Sequence, residues 1–228
     1  MAFNIHKLEK LDPFSGRAEE IVEDYQDKLM ELFFKSPEGQ ERLKIDPEMG
    51  FWAAQFIHYG YFYVGATLPN MTVSDVKEIA EEVFPRKIST SSVEEADDTI
   101  PELIAFWKFL QREFKLPAAN PIFKYLKKIE PGYRDVMNDS SKFGMAKSFF
   151  MMGQESGFDM TDERDMNRFM LAYNASITAQ NPDLRDEFDI DFDAEESSPA
   201  RPKKSKAKKK KARKIAKASR KKNKKRRR

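Results

Sequence analysis

The chain of 228 residues contains no cysteine. This absence excludes a disulfide framework, a thiolate zinc site, an iron–sulfur cluster and a cysteine nucleophile. It is also typical of proteins in a reducing compartment. Nineteen Phe, seven Tyr and two Trp supply apolar volume, so we expect residues 1–180 to build one core without metals or disulfides.

Histidine is almost as scarce, since only His6 and His58 occur. Neither stands with a second histidine at the spacing of metal ligands, and we expect His58 to be a core residue. Residues 144–148, GMAKS, match the end of a phosphate-binding loop but lack its upstream glycine and strand. Because no dinucleotide motif or nucleophile elbow occurs either, the sequence predicts a non-enzymatic protein without cofactor or metal. A catalytic site assembled across helices stays open as an alternative.

Charge is missing from residues 49–74, which contain no Asp, Glu, Lys or Arg. Within them, residues 51–68 read FWAAQFIHYGYFYVGATL, a length close to that of a membrane span. Three Tyr and two Gly make this stretch only moderately hydrophobic, so we predict a buried central helix instead. The N-terminal segment also lacks the apolar region of a secretory signal. We therefore expect a soluble protein without a membrane span, located in the cytoplasm or, in a eukaryotic host, the nucleus.

Strand signals are absent, because no β-branched alternation of useful length is bounded by hairpin turns. Apolar residues recur at helical spacing instead, for example Ile21, Tyr25, Leu29, Leu32 and Phe33. This spacing predicts an all-α fold, an irregular domain of about six to eight helices. Local capping patterns place helix starts at Ser15, Ser36-Pro37, Asp46-Pro47, Thr72 with Asp75, Pro101, Asn120-Pro121, residue 141 and Thr161, and a helix end at Pro85.

Composition divides the chain into three parts. Residues 1–180 are predicted to form the helical domain and residues 181–200 an acidic disordered linker. Within this linker, Asp189, Asp191 and Asp193 match the opening of an EF-hand loop. Ala194 replaces the turn glycine and Ala200 the terminal glutamate, however, which argues against a calcium site. Two interpretations of this segment are left open: a plain acidic linker, and a segment that competes with phosphates for the basic tail.

Residues 201–228 form the third part, a predicted disordered tail with 19 Lys or Arg and no Asp or Glu. The rest of the chain carries a net charge of −16, so the overall charge of +3 is the sum of an acidic part and a strongly basic tail. Such a basic block is typical of polyanion binding, because each cation set against a phosphate releases condensed counterions. The predicted nucleic-acid-binding residues are Lys203, Lys204, Lys206, Lys208, Lys209, Lys210, Lys211, Arg213, Lys214, Lys217, Arg220, Lys221, Lys222, Lys224, Lys225, Arg226, Arg227 and Arg228.

Six methionines lie within 26 residues: Met145, Met151, Met152, Met160, Met166 and Met170. Their helical spacing favours core packing, although Met-rich surfaces also adapt to varied protein partners. Together with the tail, they leave two functional hypotheses. The first is a non-enzymatic helical protein held on nucleic acid, with RNA favoured, by a sequence-tolerant tail. The alternative is a protein-interaction or adaptor module that uses an aromatic or Met-rich face.

Overall fold

The computed structural model describes residues 3–90 and 92–180. All regular structure in this part of the chain is helical, which confirms the predicted all-α class. Its α-helices are α1 (Ala18–Lys35), α2 (Pro37–Leu43), α3 (Phe51–Tyr59), α4 (Val73–Glu78), α5 (Phe84–Lys87), α6 (Thr99–Phe114), α7 (Ala119–Ile129), α8 (Tyr133–Asn138), α9 (Met145–Glu155) and α10 (Glu163–Gln180). Two π-helical segments, Gly60–Val64 and Ile79–Val83, extend α3 and join α4 to α5.

Two helix starts lie where their local patterns predict them. Ser36 caps α2, because its Oγ accepts the N–H of Gly39 at 3.0 Å. Thr72 caps α4 through a reciprocal box in which the Asp75 carboxylate accepts the Thr72 N–H at 2.8 Å. Both caps depend on residues three positions apart, so the sequence contains all the required partners.

The predicted start of the aromatic helix at Asp46-Pro47 is wrong. Asp46 instead forms a turn, accepting the N–H of Glu48 at 3.0 Å, and α3 begins only at Phe51. The residue before it, Gly50, has φ +118°, a conformation that suits glycine. The carboxylate of Glu102, on α6, accepts the Gly50 N–H at 2.9 Å. A tertiary contact therefore sets where this helix begins.

Three other predicted starts are shifted by a few residues. Ser15 is not the cap of α1, which follows Arg17. Asp162 rather than Thr161 caps α10, because its Oδ1 accepts the N–H groups of two residues in the first turn. The Met-rich helix starts at Met145 rather than at residue 141, because Gly144 is extended and donates its N–H to the Arg86 carbonyl at 3.1 Å.

The predicted end of a helix at Pro85 is also wrong. The π-helical segment Ile79–Val83 leads directly into α5, which includes Pro85. Proline has no N–H to donate, so carbonyls in the preceding turn need hydrogen-bond donors from other parts of the chain. The Tyr133 hydroxyl, on α8, donates to the Ala80 carbonyl at 2.7 Å. The helix can therefore pass through the proline.

The core is aromatic and lies among α1, α3 and α6. Phe33, Phe106 and Phe109 pack with ring centroids 5.3 to 6.2 Å apart, and Trp107 is fully buried beside Phe56. α3 contributes one buried face, which confirms the core interpretation of residues 51–68 in part, because Phe51 and Tyr63 are about half exposed. No helix in the described residues is long and apolar enough to cross a membrane.

By its internal contacts the chain divides into two units, Met1–Tyr173 and Asn174–Arg228. The core described above belongs to the first unit. Of the second unit, only the last residues of α10 are among the described residues.

Candidate functional site

The predicted nucleic-acid-binding residues, between Lys203 and Arg228, lie outside the described residues, as does the acidic segment 181–200. The described residues, 3–90 and 92–180, are the part of the chain in which a site can be located. Three features stand out there: the α9–α10 hairpin, a groove next to the start of α9, and a few buried ionisable side chains.

The α9–α10 hairpin has its own aromatic contacts. Phe149 on α9 packs against Phe169 and Tyr173 on α10, with ring centroids 4.8 and 5.3 Å apart. Phe158, in the connecting loop, lies 5.4 Å from Phe169. Phe169 is buried but is not part of the main core cluster. These rings fill the inner side of the hairpin.

Most methionines of the hairpin are consequently on its surface. Met160 is buried against Gly153, whereas Met152, Met166 and Met170 are 43%, 39% and 37% exposed, and Met145 is 93% exposed. The expectation that the methionine group packs in the core is therefore wrong for four of its six members. Helical spacing indicated an apolar face, but aromatic side chains occupy the packed positions. The exposed thioethers form an adaptable apolar surface.

The groove next to α9 has a volume of about 800 Å³ and combines three separate segments of the chain. Lys87 lies over the exposed ring of Tyr63, 4.9 Å from its centroid. Lys142 donates to the Glu81 carbonyl at 2.8 Å and lies 3.4 Å from the Glu82 carboxylate. No local sequence pattern predicts this groove, because its walls come from residues 63, 78–87 and 141–145. Mixed charge on the walls favours neither anions nor cations.

Lys147, in the segment that matches a phosphate-binding loop, is buried. Its ammonium group donates to the Met137 carbonyl at 2.9 Å and lies 4.0 Å from the centre of the Phe143 ring. Burial lowers the pKa of Lys147 to about 8. Its hydrogen bond joins α9 to the end of α8, so the side chain supports packing rather than pointing toward a phosphate in solvent.

No protein-family model, curated protein or solved structure matches this chain.

His58 is half-buried rather than fully in the core. Its ring packs against Phe62 and Tyr59, with centroids 4.9 and 5.2 Å apart. Burial lowers its pKa, and the carboxylates of Glu19 and Glu23 act in the opposite direction. Within the described residues, no group of three or more His, Asp or Glu side chains is arranged to hold a metal ion.

The most buried ionisable groups support the fold. Glu102 accepts N–H groups from Gly50 and Ala53 at the start of α3, at 2.9 and 2.7 Å. Burial raises the pKa of Glu102 despite these two hydrogen bonds. Nearby, the Arg42 guanidinium is buried and pairs with Asp98. These contacts connect helices distant in sequence, which is a structural role.

Proposed function

We propose that this protein binds nucleic acid through residues 201–228 and that this contact holds its helical body at the target. The observation that carries the proposal is the tail's composition, 19 Lys or Arg among 28 residues without one carboxylate. Cations at this density bind phosphate backbones by releasing condensed counterions. RNA is the first nucleic acid to test, and the cytoplasm, or the nucleus of a eukaryotic host, is the expected location.

The tail's other properties favour sequence-tolerant binding. It contains no Phe, Tyr, Trp or His, so the base stacking that helps proteins grip single strands is missing from it. Lysine contacts to phosphates position a protein but carry no sequence information. The body, residues 1–180, has a net charge of −9, which favours the tail as the principal contact.

The salt dependence of binding tests this function. The dissociation constant would be measured over a salt series for the full chain and for a truncation at residue 200. If half of the tail's cations engage duplex phosphates, the slope of log K against log salt should be on the order of −8 to −9. The truncated chain should show a much shallower slope. Equal, weak binding by both proteins would contradict the proposal.

Protein binding through the α9–α10 hairpin is the second candidate function. It is favoured by the exposure of Met152, Met166 and Met170, which offers an adaptable apolar surface. A pull-down with nuclease treatment separates the two functions, because partners bridged by nucleic acid disappear and direct partners persist. A direct partner should then be lost from the triple variant M152Q/M166Q/M170Q and retained when only the tail is removed.

A further inference from the structure

One part of the acidic body is locally basic. Residues 114–129 contain four lysines and no Asp or Glu, the largest number of cations in any acid-free stretch of residues 1–180. This stretch ends α6 and forms α7. Lys108, three turns into α6, adds a fifth cation. These five residues are called here the α7 lysine face: Lys108, Lys115, Lys124, Lys127 and Lys128.

The packing of α6 against α7 brings two of these cations together. Lys108 on α6 and Lys127 on α7 both lie over the ring of Phe123, with their ammonium nitrogens 5.5 and 4.7 Å from its centroid. At the other end of the pair, Gln111 and Asn120 are joined by a side-chain hydrogen bond of 2.6 Å. All five lysines are exposed. The aromatic ring holds two of the ammonium groups in defined positions.

None of these five lysines forms an ion pair with a described residue. Elsewhere in the body, exposed lysines are often neutralised: Lys7 and Lys28 both reach Asp24, at 2.7 and 2.5 Å, and Lys35 reaches Glu31 at 3.6 Å. This difference leaves the α7 lysine face as a concentration of unpaired positive charge.

Three carboxylates that lie next to these lysines in the chain, or that contact α7, do not pair with them. Glu81 accepts the Tyr125 hydroxyl at 2.7 Å, and Glu113 pairs with Arg112 at 3.0 Å. Glu130 follows α7 and forms no ion pair with a described lysine. Among the described residues these five lysines therefore have no paired carboxylate, and an external anion would relieve the repulsion between those that lie close together.

We propose that the α7 lysine face is a second docking surface for the phosphate backbone of the nucleic acid that the tail binds. This inference rests on the proposed function. The face binds phosphates rather than bases, because Phe123 is partly buried and covered by two ammonium groups. A membrane surface fits less well, because none of the large exposed hydrophobic side chains belongs to α6 or α7. The tail would thus tether the protein to the nucleic acid, and the α7 lysine face would set the orientation of the helical body on it.

Three full-length variants test the inference with a duplex RNA probe. K124Q/K127Q/K128Q removes three charges from the face. K10Q/K35Q/K44Q removes three charges from exposed lysines elsewhere on the body and is the matched control. K208Q/K209Q/K210Q/K211Q weakens the tail. Thermal unfolding of each variant, expected to match the wild type for these exposed positions, verifies the fold.

The salt slope separates the outcomes. Each lost phosphate contact lowers the magnitude of the slope of log K against log salt by about 1. This magnitude should therefore fall by about 3 in K124Q/K127Q/K128Q and by less than about 1 in the control. A face variant that behaves like its control, while the tail variant loses slope, would overturn this inference and leave the proposed function intact. An unchanged slope in the tail variant would instead count against the proposed function. Binding of the face to anionic lipid vesicles but not to RNA would also overturn the inference.

Discussion

The hydroxyl oxygen of Tyr133 lies 2.7 Å from the carbonyl oxygen of Ala80, and both residues are fully buried. Ala80 lies in the π-helical segment that precedes Pro85. Because proline cannot donate a hydrogen bond to the preceding turn, side chains supply the donors there: the Tyr133 hydroxyl bonds the Ala80 carbonyl, and Lys142 bonds the Glu81 carbonyl. The Tyr133 contact joins α8 to the helix that contains the proline.

Replacing Tyr133 by Phe should lower the free energy of unfolding by about 1 to 3 kcal/mol, because the buried Ala80 carbonyl would lose this partner. Urea unfolding measures the change. Tyr125→Phe is the matched control, since the Tyr125 hydroxyl binds the Glu81 carboxylate, which is not fully buried. Equal effects from the two substitutions would show that Tyr133 does not compensate for Pro85.

Replacing Glu102 by Ala should destabilise the fold by about 3 kcal/mol, because the buried N–H groups of Gly50 and Ala53 would lose their acceptor. Glu48→Ala removes an exposed carboxylate and should change stability by less than about 0.5 kcal/mol. Chemical denaturation of both variants makes the comparison. A Glu102→Ala protein as stable as the wild type would contradict the assigned role in starting α3.

The same carboxylate should make stability depend on pH. Burial raises the pKa of Glu102 above its ordinary value of 4.5, so the folded state binds the proton more tightly than the unfolded chain does. The stabilisation that Glu102 gains from this tighter proton binding is fully present below pH 4.5 and is lost as pH rises through the folded-state pKa. The stability difference between wild type and Glu102→Ala should therefore shrink as pH rises from about 4.5. A constant difference across that range would argue against the raised pKa.

Lys147 should have the opposite dependence at alkaline pH. Its pKa is lowered by burial from 10.5 to about 8, so between these values the unfolded chain binds a proton that the folded state has released. Stability should then rise with pH across this window. Lys147→Met should abolish that rise, whereas Lys44→Met, at an exposed position, should preserve it. The free energy of unfolding of the wild type and both variants, measured at pH 7, 9 and 10.5, tests this.

The hairpin contains a close contact that a single methyl group should disturb. A Cβ at Gly153 would collide with the side chain of buried Met160. Gly153→Ala should therefore lower the free energy of unfolding by about 1 to 3 kcal/mol. Gly16→Ala, where a Cβ would meet open space, should leave it unchanged or raise it slightly. In a double-mutant cycle, Gly153→Ala should destabilise a Met160→Ala background less than it destabilises the wild type. Unfolding monitored by near-ultraviolet circular dichroism tests this, and an equal loss in both backgrounds would exclude the steric explanation.

Predictions from the sequence succeeded where the physical partners are close along the chain. The caps at Ser36 and Thr72 use residues three positions away, so both partners of each hydrogen bond can be identified from the sequence. Two of the failures occurred where a distant side chain intervenes. Glu102 delays the start of α3, and Tyr133 lets a helix continue through Pro85. Methionine spacing could not show that aromatic rings would occupy the inner side of the hairpin.

Helical periodicity and local capping were sufficient to specify the all-α class, because both depend on neighbours within one turn. The charge division between body and tail is likewise a property of composition alone. Tertiary packing decided which methionines reach the surface, where the groove forms, and that Lys108 and Lys127 meet over one ring. The reason is that these features depend on which faces of α6, α7, α9 and α10 become buried, and burial is a property of contacts between segments far apart in the chain.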